Sequence, residues 1–240
     1  MEKSKDKTVI ITGISKGLGK EICLKLLQEN YHVIGISRTY NGIFSEFKKF
    51  RFLEYDLSDI DNLELFLKNN IKNKTSLLGF VNNAAIAYDD IITNMKIEKV
   101  KQMFNVNVFS PYIITKFVLR NMLLNKVKGS IVHLSSISVH TGYNGLSMYA
   151  SSKGALEAFS KNTAREWGRR GIRSNCIVAG FMETEMSNTL DSSQKNRIYQ
   201  RTSLKKPTSK ESVSNMISFL LSNKSESITG QNIHVDSGTI

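Results

Sequence analysis

The sequence predicts one α/β domain, a doubly wound parallel sheet of about seven strands with helices on both faces. Three observations carry that prediction. Short apolar runs alternate along the chain with longer segments whose apolar residues recur at three- and four-residue spacing. The short runs are nearly all apolar, as strands covered on both faces are. The length of 240 residues, 40% of them hydrophobic, suits one large domain or two small ones, and no Pro- or Ser-rich linker divides it.

Taken in order, residues 8–11 read as the first strand, followed by a helix pattern through Ile22, Leu24, Leu26 and Leu27. Residues 32–36 form the second strand and 52–55 the third. The stretch 39–50 between them is short for a full helix. Leu63, Leu65, Phe66 and Leu67 mark the next helix, and residues 77–81 the fourth strand. Val100, Met103, Phe104, Val106 and Val108, then Ile113, Ile114, Phe117 and Val118, predict a long helix over about 98–124. Strands follow at 131–134, 174–178 and 233–235, with a helix over about 151–170 after the fifth strand.

Composition excludes several classes. Disorder, collagen-like repeats and a disulfide scaffold do not fit this apolar content with two Cys and two Pro. Cys23 and Cys176 lie in apolar segments and read as buried free thiols. No run approaches the roughly 18–20 apolar residues of a membrane helix. The N-terminal apolar run is broken by Thr12 and Gly13 too early for a signal peptide, so a cytoplasmic protein is expected. There are 33 Lys and Arg against 21 Asp and Glu, a net charge of +12. These cations are spread along the chain without interleaved aromatic residues, so an acidic small ligand or acidic carrier protein is expected rather than nucleic acid. No metal site is expected.

The first strand ends in Thr12-Gly13-Ile14-Ser15-Lys16-Gly17-Leu18-Gly19, and a helix pattern starts directly after it. Glycines at such a turn let the backbone approach a pyrophosphate, which the helix N-terminus then binds through free N–H groups and its dipole. A plain glycine turn is the alternative reading. A site for NAD places an acid near the end of the next strand, about 20 residues on. Here that strand ends Ile36-Ser37-Arg38-Thr39, with no acid in it. A guanidinium there suits a 2′-phosphate, and Lys16 adds a second cation, so NADP(H) is expected over NAD(H). Arg38 capping a surface loop is the plainer alternative.

Tyr149 and Lys153 are four residues apart, on one face of the predicted helix. A phenol with a pKa of about 10 is a poor acid–base catalyst near neutrality, and a nearby ammonium is expected to lower it. A Tyr tuned in this way protonates a carbonyl oxygen as hydride reaches the carbon. Ser136, at the carboxyl end of the fifth strand, would hydrogen-bond the same oxygen, where open α/β sheets place their ligand crevice.

These features resemble the short-chain dehydrogenase/reductase family, with its Rossmann-type fold, from Thr8 to nearly the C-terminus. The likeness rests on Thr12-Gly13 through Gly19, Asp56-Leu57, Asn82-Asn83-Ala84, Asn107, and Ser136, Tyr149 and Lys153 at the family's spacing. The resemblance implies that Asn107 holds a helix kink and a water linked to Lys153. It implies further that Lys153 binds the nicotinamide ribose, Asp56 contacts the adenine and Thr184 touches the carboxamide. Two departures stand out. Ala85 replaces the usual Gly after the fourth strand, and its methyl is expected to crowd the cofactor. Ala179-Gly180 replaces the usual Pro-Gly after the sixth, which is expected to loosen the following loop.

Within the family the chain is most similar to the 3-oxoacyl-[acyl-carrier-protein] reductases, through residues 88–95, 164–166, 170–173, 180–186 and 235–238. That likeness implies a homotetramer of fatty acid biosynthesis. It also implies that basic residues at the active-site mouth dock an acyl carrier protein, with Arg170 at one matching position and Lys126 and Lys128 flanking another. Residues 185–207 would be the substrate lid. Its polarity keeps a sugar or secondary-metabolite ketone open as substrate. A non-catalytic NADP-binding sensor is the rival outside enzymology, and it has no need of the Ser136, Tyr149 and Lys153 set.

Overall fold

The computed structural model describes residues 7–184 and 191–239. Seven parallel strands form one sheet: β1 (Thr8–Thr12), β2 (His32–Ser37), β3 (Phe50–Glu54), β4 (Leu77–Asn82), β5 (Ser130–Ser136), β6 (Arg173–Ala179) and β7 (Asn232–Val235). Their spatial order is β3-β2-β1-β4-β5-β6-β7. The order reverses between β1 and β4, and a crevice therefore opens at their carboxyl ends. Each predicted strand is present, shifted or extended by one or two residues.

Helices α1 (Gly17–Gln28) and α8 (Lys210–Leu221) cover one face. They bury Ile22, Leu26, Val213, Ile217 and Leu220 against Val9, Ile11 and Val132. On the other face α2 (Ile60–Asn70) and α4 (Ser110–Leu124) bury Leu63, Leu67, Ile114 and Val118 against Ile10, Phe80 and Ile131. Apolar residues on both faces of every central strand explain why the strand sequences are continuous rather than alternating.

The connection 39–49 contains no helix. Its aromatics pack on one another instead: Phe44 is fully buried, and the Tyr40 ring lies 5.0 Å from Phe52 and 5.3 Å from Phe50. The predicted helix over 98–124 is interrupted. α3 (Ile97–Phe104) passes through a π-helical turn, Asn105–Phe109, into α4. Two causes act together. Pro111 lacks the N–H that an α-helix would offer to the Asn107 carbonyl. The buried Asn107 side chain is also held by Ile86, whose N–H donates to its Oδ1 at 2.9 Å and whose carbonyl accepts from its Nδ2 at 2.9 Å.

The predicted loosening after β6 is not found in the residues next to the strand. Gly180 N–H donates to Val235 O at 3.0 Å and Thr208 N–H to Phe181 O at 2.8 Å. A Cβ on Gly180 would stand 2.6 Å from the Asp236 Cα, so close packing here replaces proline rigidity. Among the described residues no helix is long and apolar enough to cross a membrane.

Candidate active site

The glycine turn is shaped by contacts that only glycine permits. Gly13 and Gly17 hold φ values of +73° and +55°. A Cβ on Gly19 would lie 1.9 Å from the Gly13 carbonyl oxygen and 2.5 Å from Asn83 Nδ2. Asn83 pins the turn to the end of β4, its Nδ2 donating to the carbonyls of Thr12 and Gly13, both at 3.0 Å. Thr12 Oγ1 accepts from the N–H groups of Asn83 at 3.2 Å and Ala84 at 3.1 Å. Lys16 is the N-cap residue of α1, and no side chain caps that helix. The first-turn N–H groups of Gly17, Leu18 and Gly19 therefore have no intrahelical acceptor and face the crevice, as an anion-binding turn requires. Thr184 closes the other side, its methyl 3.9 Å from the place a Cβ on Gly17 would take.

The adenine side is more open. Gly13 N–H donates to Ile36 O at 2.8 Å, which ties the glycine turn to the end of β2. Arg38 follows two residues later, exposed, with no ion pair among the described residues. Lys16 is also exposed on this rim. Asp56 accepts from both the N–H and the hydroxyl of Ser58 at 2.9 Å, which fixes its carboxylate at the end of β3. Leu57 and Leu18 turn their side chains into the core, so only their backbone groups face this side. Ser15 lies half-buried in the turn. The cradle thus fits a dinucleotide.

Ser136 ends β5, and Tyr149 and Lys153 sit one turn apart near the start of α6 (Ser147–Trp167). The Ser136 hydroxyl lies near enough to the Tyr149 hydroxyl to favour its phenolate by hydrogen bonding. The short helix α5 (Ser138–Thr141) fixes the serine, since the Ser138 hydroxyl and N–H contact Ser136 Oγ at 3.0 and 3.2 Å. Lys153 is 2% exposed; its Nζ donates to Leu134 O at 2.8 Å and lies 5.7 Å from the Tyr149 ring centroid. Asn107 joins this group indirectly. Its Nδ2 also donates to Ser152 Oγ at 3.0 Å, and Ser152 Oγ donates to the Tyr149 carbonyl at 2.7 Å.

The electrostatics correct one expectation. The Tyr149 phenol is pushed up to about 12, by burial first and by the charge of Asp89 second, while the Ser136 hydrogen bond pulls the other way. Lys153 does not lower it here, because the ammonium is directed at the Leu134 carbonyl. Burial holds Lys153 itself down to about 8. In this state the phenol is a loaded acid.

Sequence reasoning missed several groups. Thr12, legible only as the start of the glycine turn, and Ser138 and Ser152, to which the sequence assigns no role, hold the site residues through the bonds above. Asp89 faces Tyr149 from the segment after β4. His133 is fully buried with both ring nitrogens unpartnered, and its pKa is pushed down to about 3 by burial, then by Lys153. Of the three cations assigned to the mouth, Lys128 packs beside Gly171, the neighbour of Arg170, where an added Cβ would stand 2.8 Å from the lysine Cγ. They lie at the amino ends of β5 and β6, away from Ser136.

Comparison with known proteins gives the family. The family described as Enoyl-(Acyl carrier protein) reductase matches residues 13–239. The 3-oxoacyl-[acyl-carrier-protein] reductase FabG of Buchnera aphidicola subsp. Schizaphis graminum is 33% identical over 98% of this chain and 98% of its own. The L-xylulose reductase of Caenorhabditis elegans is 32% identical over 97% of this chain and 95% of its own. Among solved structures, ElxO with NADP bound matches with a TM-score of 0.89 at 29% identity, covering 98% of both chains. The 4-hydroxyisoleucine dehydrogenase complexed with NADH matches with a TM-score of 0.92 at 25% identity, again over 98% of both. The chain belongs to the short-chain dehydrogenase/reductase family of NAD(P)-dependent oxidoreductases.

Proposed function

We propose that this chain is an NADPH-dependent reductase that converts a ketone to a secondary alcohol, with 3-oxoacyl groups on an acyl carrier protein as substrate. The observation that carries the reaction is the pair of hydroxyls, Ser136 and Tyr149, meeting at the carboxyl end of β5 above a buried ammonium. Bound NADPH supplies the hydride to the carbonyl carbon. Tyr149 donates its proton to the carbonyl oxygen, so the C=O bond becomes CH–OH and the phenol becomes phenolate. Ser136 donates a hydrogen bond to the same oxygen as its negative charge grows. Lys153, anchored on the Leu134 carbonyl beside the Tyr149 ring, would bind the nicotinamide ribose, and Asn107 holds α6 in register through Ser152. A phenol raised to about 12 stays protonated at neutral pH, which suits the reductive direction.

NADPH is favoured over NADH by Arg38 at the end of β2 and by the NADP bound in ElxO. The 3-oxoacyl substrate is favoured by similarity to FabG and by the net charge of +12, which attracts an acidic carrier. We assign the substrate lid to residues 185–207, of which 185–190 lie outside the described residues. A cytoplasmic homotetramer that packs through α3–α4 and α6 completes the reading. A second reading has its own support: the lid helix α7 (Ser192–Gln200) has no buried residue, and a 32% identical relative is L-xylulose reductase. Reduction of a polar ketose would fit both.

The test follows oxidation of NADPH or NADH with an acetoacetyl thioester and with L-xylulose. Thioester turnover that prefers NADPH is the expected result. An inert thioester with rapid ketose reduction would overturn the 3-oxoacyl reading in favour of the second.

A further inference from the structure

Lys126 and Lys128 precede β5, and Arg170 precedes β6, where Ser130 and Arg173 pair at the amino ends of the strands. Ser136 lies at the other end of a seven-residue strand, about 20 Å away at 3.3 Å per residue. Within one chain these cations do not border the mouth in which Tyr149 works.

A different basic surface does. Residues 202–208 are stitched to the carboxyl ends of β6 and β7. Ser203 N–H donates to Gly238 O at 2.9 Å, Leu204 N–H to Ser237 O at 3.1 Å, and Thr208 N–H to Phe181 O at 2.8 Å. The Tyr199 hydroxyl of α7 donates to Glu183 Oε1 at 2.6 Å, next to Thr184. On this frame Arg197, Arg201 and Lys206 are exposed. The two arginines, one helical turn apart, share a shallow recess with Asn196 and Gln200. None of the three cations is ion-paired among the described residues. Among the described residues, two acids beside this face are already used: Asp191 caps α7, and Glu183 holds Tyr199. Leu204, 61% exposed, offers an apolar side chain on the same segment, two residues before Lys206.

We propose that this lid face, Arg197, Arg201 and Lys206 with Leu204, is the docking surface for an acidic carrier protein that delivers its thioester to Tyr149. The inference rests on the 3-oxoacyl reading. Its chemistry is that of an acidic helix or loop, whose carboxylates bind the guanidinium forks while an apolar side chain covers Leu204. Docking here places the carrier beside the crevice of the same chain.

The experiment compares the whole protein with R197E/R201E and with K126E/K128E/R170E on two substrates: an acetoacetyl-carrier protein and acetoacetyl-N-acetylcysteamine. For R197E/R201E, KM for the carrier substrate should rise roughly tenfold or more beyond any rise in KM for the small thioester, which reports the lid's own effect on the site. R197A/R201A should give a smaller rise, and the far-end triple variant none. Matching thermal melts would confirm that the variants are folded. An unmoved carrier KM in R197E/R201E, or a rise confined to K126E/K128E/R170E, would overturn the proposal. If wild type reduces the small thioester but not the carrier form, this inference alone falls. If it reduces neither, the 3-oxoacyl reading falls with it.

Discussion

Arg38 is exposed at the end of β2 with no competing ion pair among the described residues, so its guanidinium is available to a 2′-phosphate. Arg38→Glu should raise Kd for NADPH at least roughly tenfold and leave NADH binding equal or tighter. Fluorescence titration of both cofactors checks this, and an unchanged ratio would remove Arg38 from cofactor choice. His133 makes a separate prediction. Its folded pKa of about 3 lies below the ordinary histidine value of 6.5. Below 6.5 the unfolded chain binds a proton that the folded chain refuses, so stability is full above 6.5 and is lost as pH falls toward 3. The slope reaches about 1.4 kcal/mol per pH unit. His133→Phe should flatten the loss between pH 7 and 5 in urea unfolding, and a slope identical to wild type would contradict it. The candidate pair was legible because Tyr149 and Lys153 need only helical spacing to meet. The burial that sets their pKa values is a tertiary property that no local pattern carries.

At the scale of elements, the glycine turn and the start of α1 depend on backbone contact rather than on helix propensity. Gly19→Ala would drive a methyl into the Gly13 carbonyl at 1.9 Å. It should cost about 1–3 kcal/mol in urea unfolding and abolish cofactor binding. Gly154→Ala is the matched control inside α6, where a Cβ meets Val139 Cγ1 at an ordinary 3.5 Å. It should be neutral or stabilise by up to about 1 kcal/mol. Equal effects of the two substitutions would show that helix propensity, not contact, governs both sites. The strands were legible because both faces of each are apolar. The break at Asn105–Phe109 was legible only in part: Pro111 is visible in the sequence, but the Ile86 backbone that holds Asn107 is distant along the chain. The turns over 39–49 were foreseen from length, whereas the packing of Tyr40 on Phe50 and Phe52 was not.

For the whole molecule, the order of the sheet decides what the sequence alone left open. With β1 and β4 adjacent, the glycine turn, Asn83, Ser136 and the start of α6 converge on one crevice from segments far apart in the chain. The same topology separates Lys126, Lys128 and Arg170 from that crevice and brings the basic lid face to it, although both clusters look alike as linear sequence. The central claim is that Tyr149 delivers the proton that accompanies hydride transfer. The most direct measurement is Tyr149→Phe, with NADPH binding followed by fluorescence and NADPH oxidation followed on the best carbonyl substrate. NADPH affinity should be unchanged and turnover reduced by at least about 10²-fold. Turnover within a few-fold of wild type, with NADPH still bound, would contradict it and place the proton donor elsewhere in the crevice.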